Sequence, residues 1–253
     1  MAFYAQLSAD RGMEAVLAVY LPRLLPGIPT GAFHGIIMLA YAIESGNEAF
    51  QCEALAYISS AYHELAIPAD YKRREIAPCA ILEGLEGLFA REGWPPQGGN
   101  IIERMAGLAG DSRIRGLIGF PDWARHDFFQ CLAPEALRIY LATRDFTALH
   151  LVTSLHAMRV IASVFPLTDG IKDTYWNSFC LADLTVGRTP ARTSRGAVGI
   201  PRERDAIKAL AVLSDDEHIV KFVHTCHEEH FRYGEPAYMD AAMLELSTGA
   251  SPS

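Results

Sequence analysis

From Asp145 to Phe165 the chain contains neither proline nor glycine, and Pro166 ends the run. A stretch that long, opened by an aspartate able to cap it, predicts one uninterrupted helix. At 100° per residue, His150 shares a side with Phe146, Thr147, Thr153, Ser154 and Ala157, while Leu149, Leu151, Val152 and Leu155 flank it. The helix is therefore apolar apart from a narrow, mildly polar seam. A histidine on such a seam either bonds a neighbouring carbonyl as an ordinary core residue or faces a polar cavity. His156 and Arg159 point away from the seam and are expected at a surface or an interface.

A second stretch, GAFHGIIMLAYAIE, is apolar all round, which predicts a buried helix capped by Thr30 and running to about Ser45. His34 then lies one turn inside it and Glu44 at its far end. A buried imidazole without a partner forfeits hydrogen bonding worth about 1–3 kcal/mol, so His34 needs one. Ligand, catalytic group and satisfied core residue are all consistent with that. Ser45-Gly46-Asn47 closes the helix, and Glu48 to Leu65 returns as the other arm of an antiparallel hairpin with His63 near its surface end.

The remaining chain also reads as helices. Gly12 to Tyr20 is a short one stopped by Pro22, and Tyr71 to Glu92 keeps a helical pattern. Trp94 to Asn100 is a loop, and a short helical hairpin follows to about Leu117. A helix begins near Pro121 and is broken or kinked at Pro134; another spans Thr168 to Leu184. Residues 188–204 hold five arginines against one acid, which fits a solvated loop or an anion-gripping lid. Ser214 and Glu217 form a capping-box pattern for the next helix. On its wheel His218, Lys221, Thr225, Glu229 and Arg232 share one side and Ile219, Val220, Val223 and Phe231 the other. The polar side faces either water or a cavity where His218 and Lys221 meet His34 and His150. Gly234 ends that helix, Glu235 to Leu246 forms the last, and 247–253 is a flexible tail.

No strand alternation, glycine-rich dinucleotide or phosphate loop, or nucleophile elbow is present in the sequence. The expected fold is all-α: one domain over 1–246, about ten helices in an orthogonal or bundle-like array around a buried pocket. With 50% hydrophobic residues, 253 residues can bury a core of that size. The net charge of −8 argues against a nucleic-acid partner. No apolar run reaches membrane-spanning length, so no membrane partner is expected. Five scattered cysteines without a C-x-x-C pair suit reduced thiols in a cytoplasmic protein and leave histidine and carboxylate as the metal ligands.

Laid out in this order, TGAFHGIIMLAYAIESGN, CEALAYISSAYHEL, DFTALHLVTSLHAMR and SDDEHIVKFVHTCHEEHFRYGEPAY resemble the questin oxidase family, its bacterial members in particular. The resemblance runs from about Leu21 to Ala242 and is loosest between Arg91 and Leu141. It implies an oxygen-using enzyme of polyketide tailoring that oxidises or opens the ring of an aromatic or quinone substrate, with dioxygen as co-substrate and NADPH as a further requirement of fungal members. The family's G-A-F-H falls on Gly31 to His34, its histidine before T-S on His150, and its D-x-H-x-x-K on Asp216, His218 and Lys221. His34, His150 and His218 are thereby implied as ligands of a non-haem iron, with Lys221 and Glu44 as catalytic neighbours. A lysine beside a metal is compatible if neutral or carbamylated. Longer members carry a histidine-containing segment upstream of this pattern, which this sequence is expected to lack. That motivates a second reading: a non-catalytic helical protein holding an aromatic ligand in a cavity lined by Met38, Tyr41 and Phe146.

Overall fold

In the computed structural model, residues 1–65, 67, 71, 73–92, 99–187 and 204–249 are described. Among them the chain forms α1 (Ala2–Arg11), α2 (Met13–Leu24), α3 (His34–Glu44), α4 (Glu48–Ser60), α5 (Pro78–Glu92), α6 (Ile101–Ala109) and α7 (Ser112–Leu117). Then follow α8 (Phe128–Thr143), α9 (Phe146–Val164), α10 (Asp169–Asp183), α11 (Arg204–Ala211), α12 (Glu217–Tyr233) and α13 (Ala237–Gly249). The all-α expectation holds, with more helices than the ten expected; α1 is one the sequence reading passed over. The arginine-rich stretch up to 203, the loop residues 94–98 and the tail from 250 lie outside the described residues.

The long proline-free run is the central helix. Asp145 caps α9 through Thr147 N, and α3, α8, α10 and α12 all pack on it. Its 19 residues are long and apolar enough to cross a membrane, but most of that surface is buried inside the protein. At about 1.5–3 kcal/mol per fully buried large apolar side chain, Leu151, Met158 and Ile161 anchor the core. His156 is buried too, at 1% exposure, against the expected surface or interface. From Thr147 to Met158 every residue of α9 is buried, so a polar residue in that stretch has no solvent face to turn toward.

The start of α3 departs from its expected cap. Thr30 Oγ1 accepts from His63 N at 3.0 Å instead, and Gly31, Ala32 and Phe33 all take positive φ. Left-handed backbone costs non-glycine residues roughly 1–2 kcal/mol each. Phe33, with 0% exposure, is held in this turn by the core. Gly31 is required: a Cβ there would collide with the Tyr57 hydroxyl. The turn makes His34 the first residue of α3 rather than one a turn inside it. At Gly35, a Cβ would come within 2.6 Å of Ile58 Cγ1, so its absence lets α4 lie close against α3.

Tyr71 to Glu92 is not one helix. Arg73–Arg74 pairs in parallel with Phe120–Pro121, a two-residue bridge too short to leave a periodic pattern. Buried Asp173 of α10 fixes this crossing by accepting from Arg73 at 2.9 Å, Tyr71 at 2.8 Å and Trp123 at 2.8 Å. The other boundaries shift for local reasons. α8 starts after its cap Asp127, well past Pro121, and runs unbroken through Pro134. α2 likewise includes Pro22. Asp216, not Ser214, caps α12, and Gly234 ends it in the left-handed conformation as expected.

Candidate metal centre and cavity

His34 opens α3, His150 lies on α9 and His218 follows the cap of α12, so three helices deliver one imidazole each. One ring nitrogen from each falls within 4.8 Å of the others. His150 Nε2 and His34 Nε2 are 2.9 Å apart, and the His218 ring centroid is 5.6 Å from both other rings. Phe146 packs edge-on against His150 at 4.5 Å and against His218 at 4.8 Å.

The outward nitrogens fix which atoms face inward. His150 Nδ1 donates to Phe146 O at 2.7 Å. Asp216 Oδ1 accepts from both His218 N and His218 Nδ1, each at 2.9 Å. Both rings therefore present Nε2 as the lone-pair atom, with a carbonyl and a carboxylate behind them in the usual arrangement of metal-binding histidines. His218 Nε2 is buried and has no hydrogen-bond partner among the described residues. The 2.9 Å gap between the other two Nε2 atoms matches the separation of cis ligands on one metal at imidazole bond lengths, about 2.8–3.0 Å. Without a metal, one of that pair must carry a proton between them, and His34 is the ring whose other nitrogen leaves it free to do so.

Electrostatics favours the neutral rings that coordination needs. Burial pushes the His150 pKa down to about 4, with neighbouring His34, His218 and Lys221 adding to it against the Phe146 hydrogen bond. Burial, then His218 and Lys221, lower that of His34. The histidine-rich group can thus bind a metal with little proton competition at neutral pH.

Lys221 stands one turn on from His218 and bonds Glu217 Oε2 at 2.7 Å, with its side chain 24% exposed. That bond and the charge of Lys221 hold the Glu217 pKa below its usual value. Asp145 is occupied by Thr147 N and Gly187 N.

Glu44 is not beside Lys221. It sits at the other end of α3 with His156 and His224, a second group whose donor atoms lie within 4.8 Å of one another. The polar side of α12, expected to face either water or a cavity, is mostly inside. Thr225 is 0% exposed and bonds Tyr41 Oη at 2.9 Å; Glu229 is 4% exposed and bonds His156 and Arg159. Phe231, placed on the apolar side, is instead exposed.

Between the two groups lies a cavity of about 900 Å³. His34 and Lys221 stand on its wall with Glu44 and His224, and Met38, Tyr41, Phe50, Val220 and Val223 supply much of the rest. Met38 and Tyr41 were expected there. Phe146 is not on this wall; its ring is taken up by the histidines.

A family model described as questin oxidase-like matches residues 1–140 of the 253. The chain belongs to the questin oxidase-like family. The match ends before α9, so His34 and Glu44 lie within it and His150 and His218 beyond it. It includes most of the segment from Arg91 to Leu141, where the motif resemblance is loosest. No curated protein matches the chain. Family membership makes it a candidate oxidoreductase.

Proposed function

We propose that this questin oxidase-like protein is a non-haem iron oxygenase that oxidises or cleaves the ring of an electron-rich aromatic or quinone compound. The observation that carries the reading is the convergence of three imidazole nitrogens, from His34, His150 and His218, with His34 on the wall of a largely apolar cavity. His34, His150 and His218 would hold the iron. Bound there, ferrous iron would supply dioxygen activation.

The protein's own contributions follow from the geometry. Phe146 O and Asp216 aim His150 and His218 and keep their Nδ1 protons in place. Met38, Phe50, Val220 and Val223 offer apolar contact to a flat ring system and exclude water from it. Lys221, paired with Glu217, is placed to donate to a quinone or phenolate oxygen near the histidines. Its charge disfavours a metal cation, and the Glu217 carboxylate offsets that. Glu44 has no part in this centre.

Oxygen uptake tests the reading. Iron-loaded protein mixed with anthraquinone- or anthrone-type phenols is expected to consume dioxygen, and His150→Ala to abolish the consumption. Parallel runs with and without NADPH decide whether a nicotinamide reductant is needed. Tight binding of the aromatic compound without any uptake in either run would reverse the reading in favour of a non-catalytic binding protein.

A further inference from the structure

We infer that Glu44, His156 and His224 form a second divalent-metal site, of the two-histidine, one-carboxylate kind, at the far end of the same cavity. Glu44 Oε2 lies 3.0 Å from His224 Nε2 and 3.4 Å from His156 Nε2. Ligands sharing one metal at bonds of about 2.0–2.1 Å are separated by about 2.8–3.4 Å, from octahedral to tetrahedral angles, so both contacts span a coordination edge. The donor set of two imidazoles and one carboxylate suits iron(II), zinc or manganese(II).

The surrounding residues hold the imidazole as a ligand requires. His156 Nδ1 donates to Glu229 Oε1 at 2.6 Å, and Arg159 bonds the same carboxylate at 2.8 Å through Nε. The carboxylate behind the ring fixes the tautomer and turns Nε2 toward Glu44. Arg159 balances the charge of Glu229, which leaves the Glu44 carboxylate to face a cation. His156 is 1% exposed, whereas the Glu44 and His224 side chains are 26% and 38% exposed on the cavity wall, so one fixed ligand and two accessible ones give an entry path.

The site is separate from the first. His150 and His156 are six residues apart on α9, as are His218 and His224 on α12, about 9 Å along each axis. Along α3, His34 and Glu44 are about 15 Å apart at the same rise. Two metals cooperating on one substrate oxygen sit about 3.5–4 Å apart, so this is not a binuclear centre. The inference stands whether or not the first group binds iron. The competing arrangement is a direct ion pair, with a doubly protonated His156 between Glu44 and Glu229 and no metal.

Calorimetric titration of chelator-treated protein with zinc chloride distinguishes them, using His150→Ala as the background so that the first group is crippled. One equivalent of zinc is expected to bind that variant. Adding Glu44→Gln or His224→Ala is expected to weaken it by at least about 100-fold, since lost outer partners alone cost 10–100-fold. His224 is partly exposed, so its variant keeps the helical circular dichroism signal even if the Glu44 variant does not. Absence of zinc binding in the His150→Ala protein, or binding unchanged by His224→Ala, overturns the inference.

Discussion

Replacing Glu229 by Gln removes one charge from the interior while preserving side-chain volume. The carboxylate is 5% exposed and accepts from His156 Nδ1 at 2.6 Å and from Arg159 at 2.7 and 2.8 Å. All three contacts converge on Oε1, so the amide oxygen can take over the acceptor position with its NH₂ where Oε2 was, and what the substitution removes is the charge. Removing one member of a buried ion pair typically costs about 3–5 kcal/mol. The Arg159 side chain is 23% exposed and can recover some hydration, which places the expected loss near the lower end, about 3 kcal/mol. In a chain of this size that lowers Tm by roughly 6–12 °C. Urea unfolding at pH 7 measures it directly. Arg159→Met and the double variant complete a cycle, in which the pair should show a favourable coupling of roughly 1–3 kcal/mol. A loss below about 1 kcal/mol for Glu229→Gln, with no coupling, would refute the claim that this network is buried and charged.

Three further outcomes follow. In metal-free protein His150 has a pKa near 4 against 6.5 when unfolded. The unfolded state therefore binds more protons in that window, and stability should fall by about 3 kcal/mol as pH drops from about 6.5 to 4; a wild-type profile indistinguishable from that of His150→Gln would contradict it. His218→Ala should change metal-free stability by no more than ~1 kcal/mol, because the bond it gives up, Nδ1 to Asp216, ends on a carboxylate that is 55% exposed and can return to water, yet weaken iron(II) binding more than tenfold by titration. Lys221→Ala, at a partly exposed position paired with Glu217 one turn away, should alter unfolding free energy by no more than ~0.5 kcal/mol.

How much of this was legible in the sequence differs between the two groups. His34 and His150 stood out by being polar on apolar helices, whereas His218, on the polar side of an amphipathic one, was singled out by the resemblance; the α9 and α12 spans follow from Asp145 and Gly234. The second group was missed because helical wheels treat each helix alone. His156 points away from the His150 seam, but on α9 the opposite side is another packed interface. Thr225 and Glu229 look like a solvated stripe until Tyr41 and His156 are known to face them. A signal was present in the i, i+6 recurrence of His150/His156 and His218/His224 on two helices. The left-handed turn at Ala32 and Phe33 had no signal in residue type, since neither favours positive φ; packing alone imposes it.

Anaerobic iron(II) titration of the His224→Ala protein, with the second group disabled, bears most directly on the assignment of the first. One tightly bound equivalent is expected, and none when His150→Ala is added. Iron binding that persists unchanged in the His150→Ala, His224→Ala protein would contradict a centre built from His34, His150 and His218.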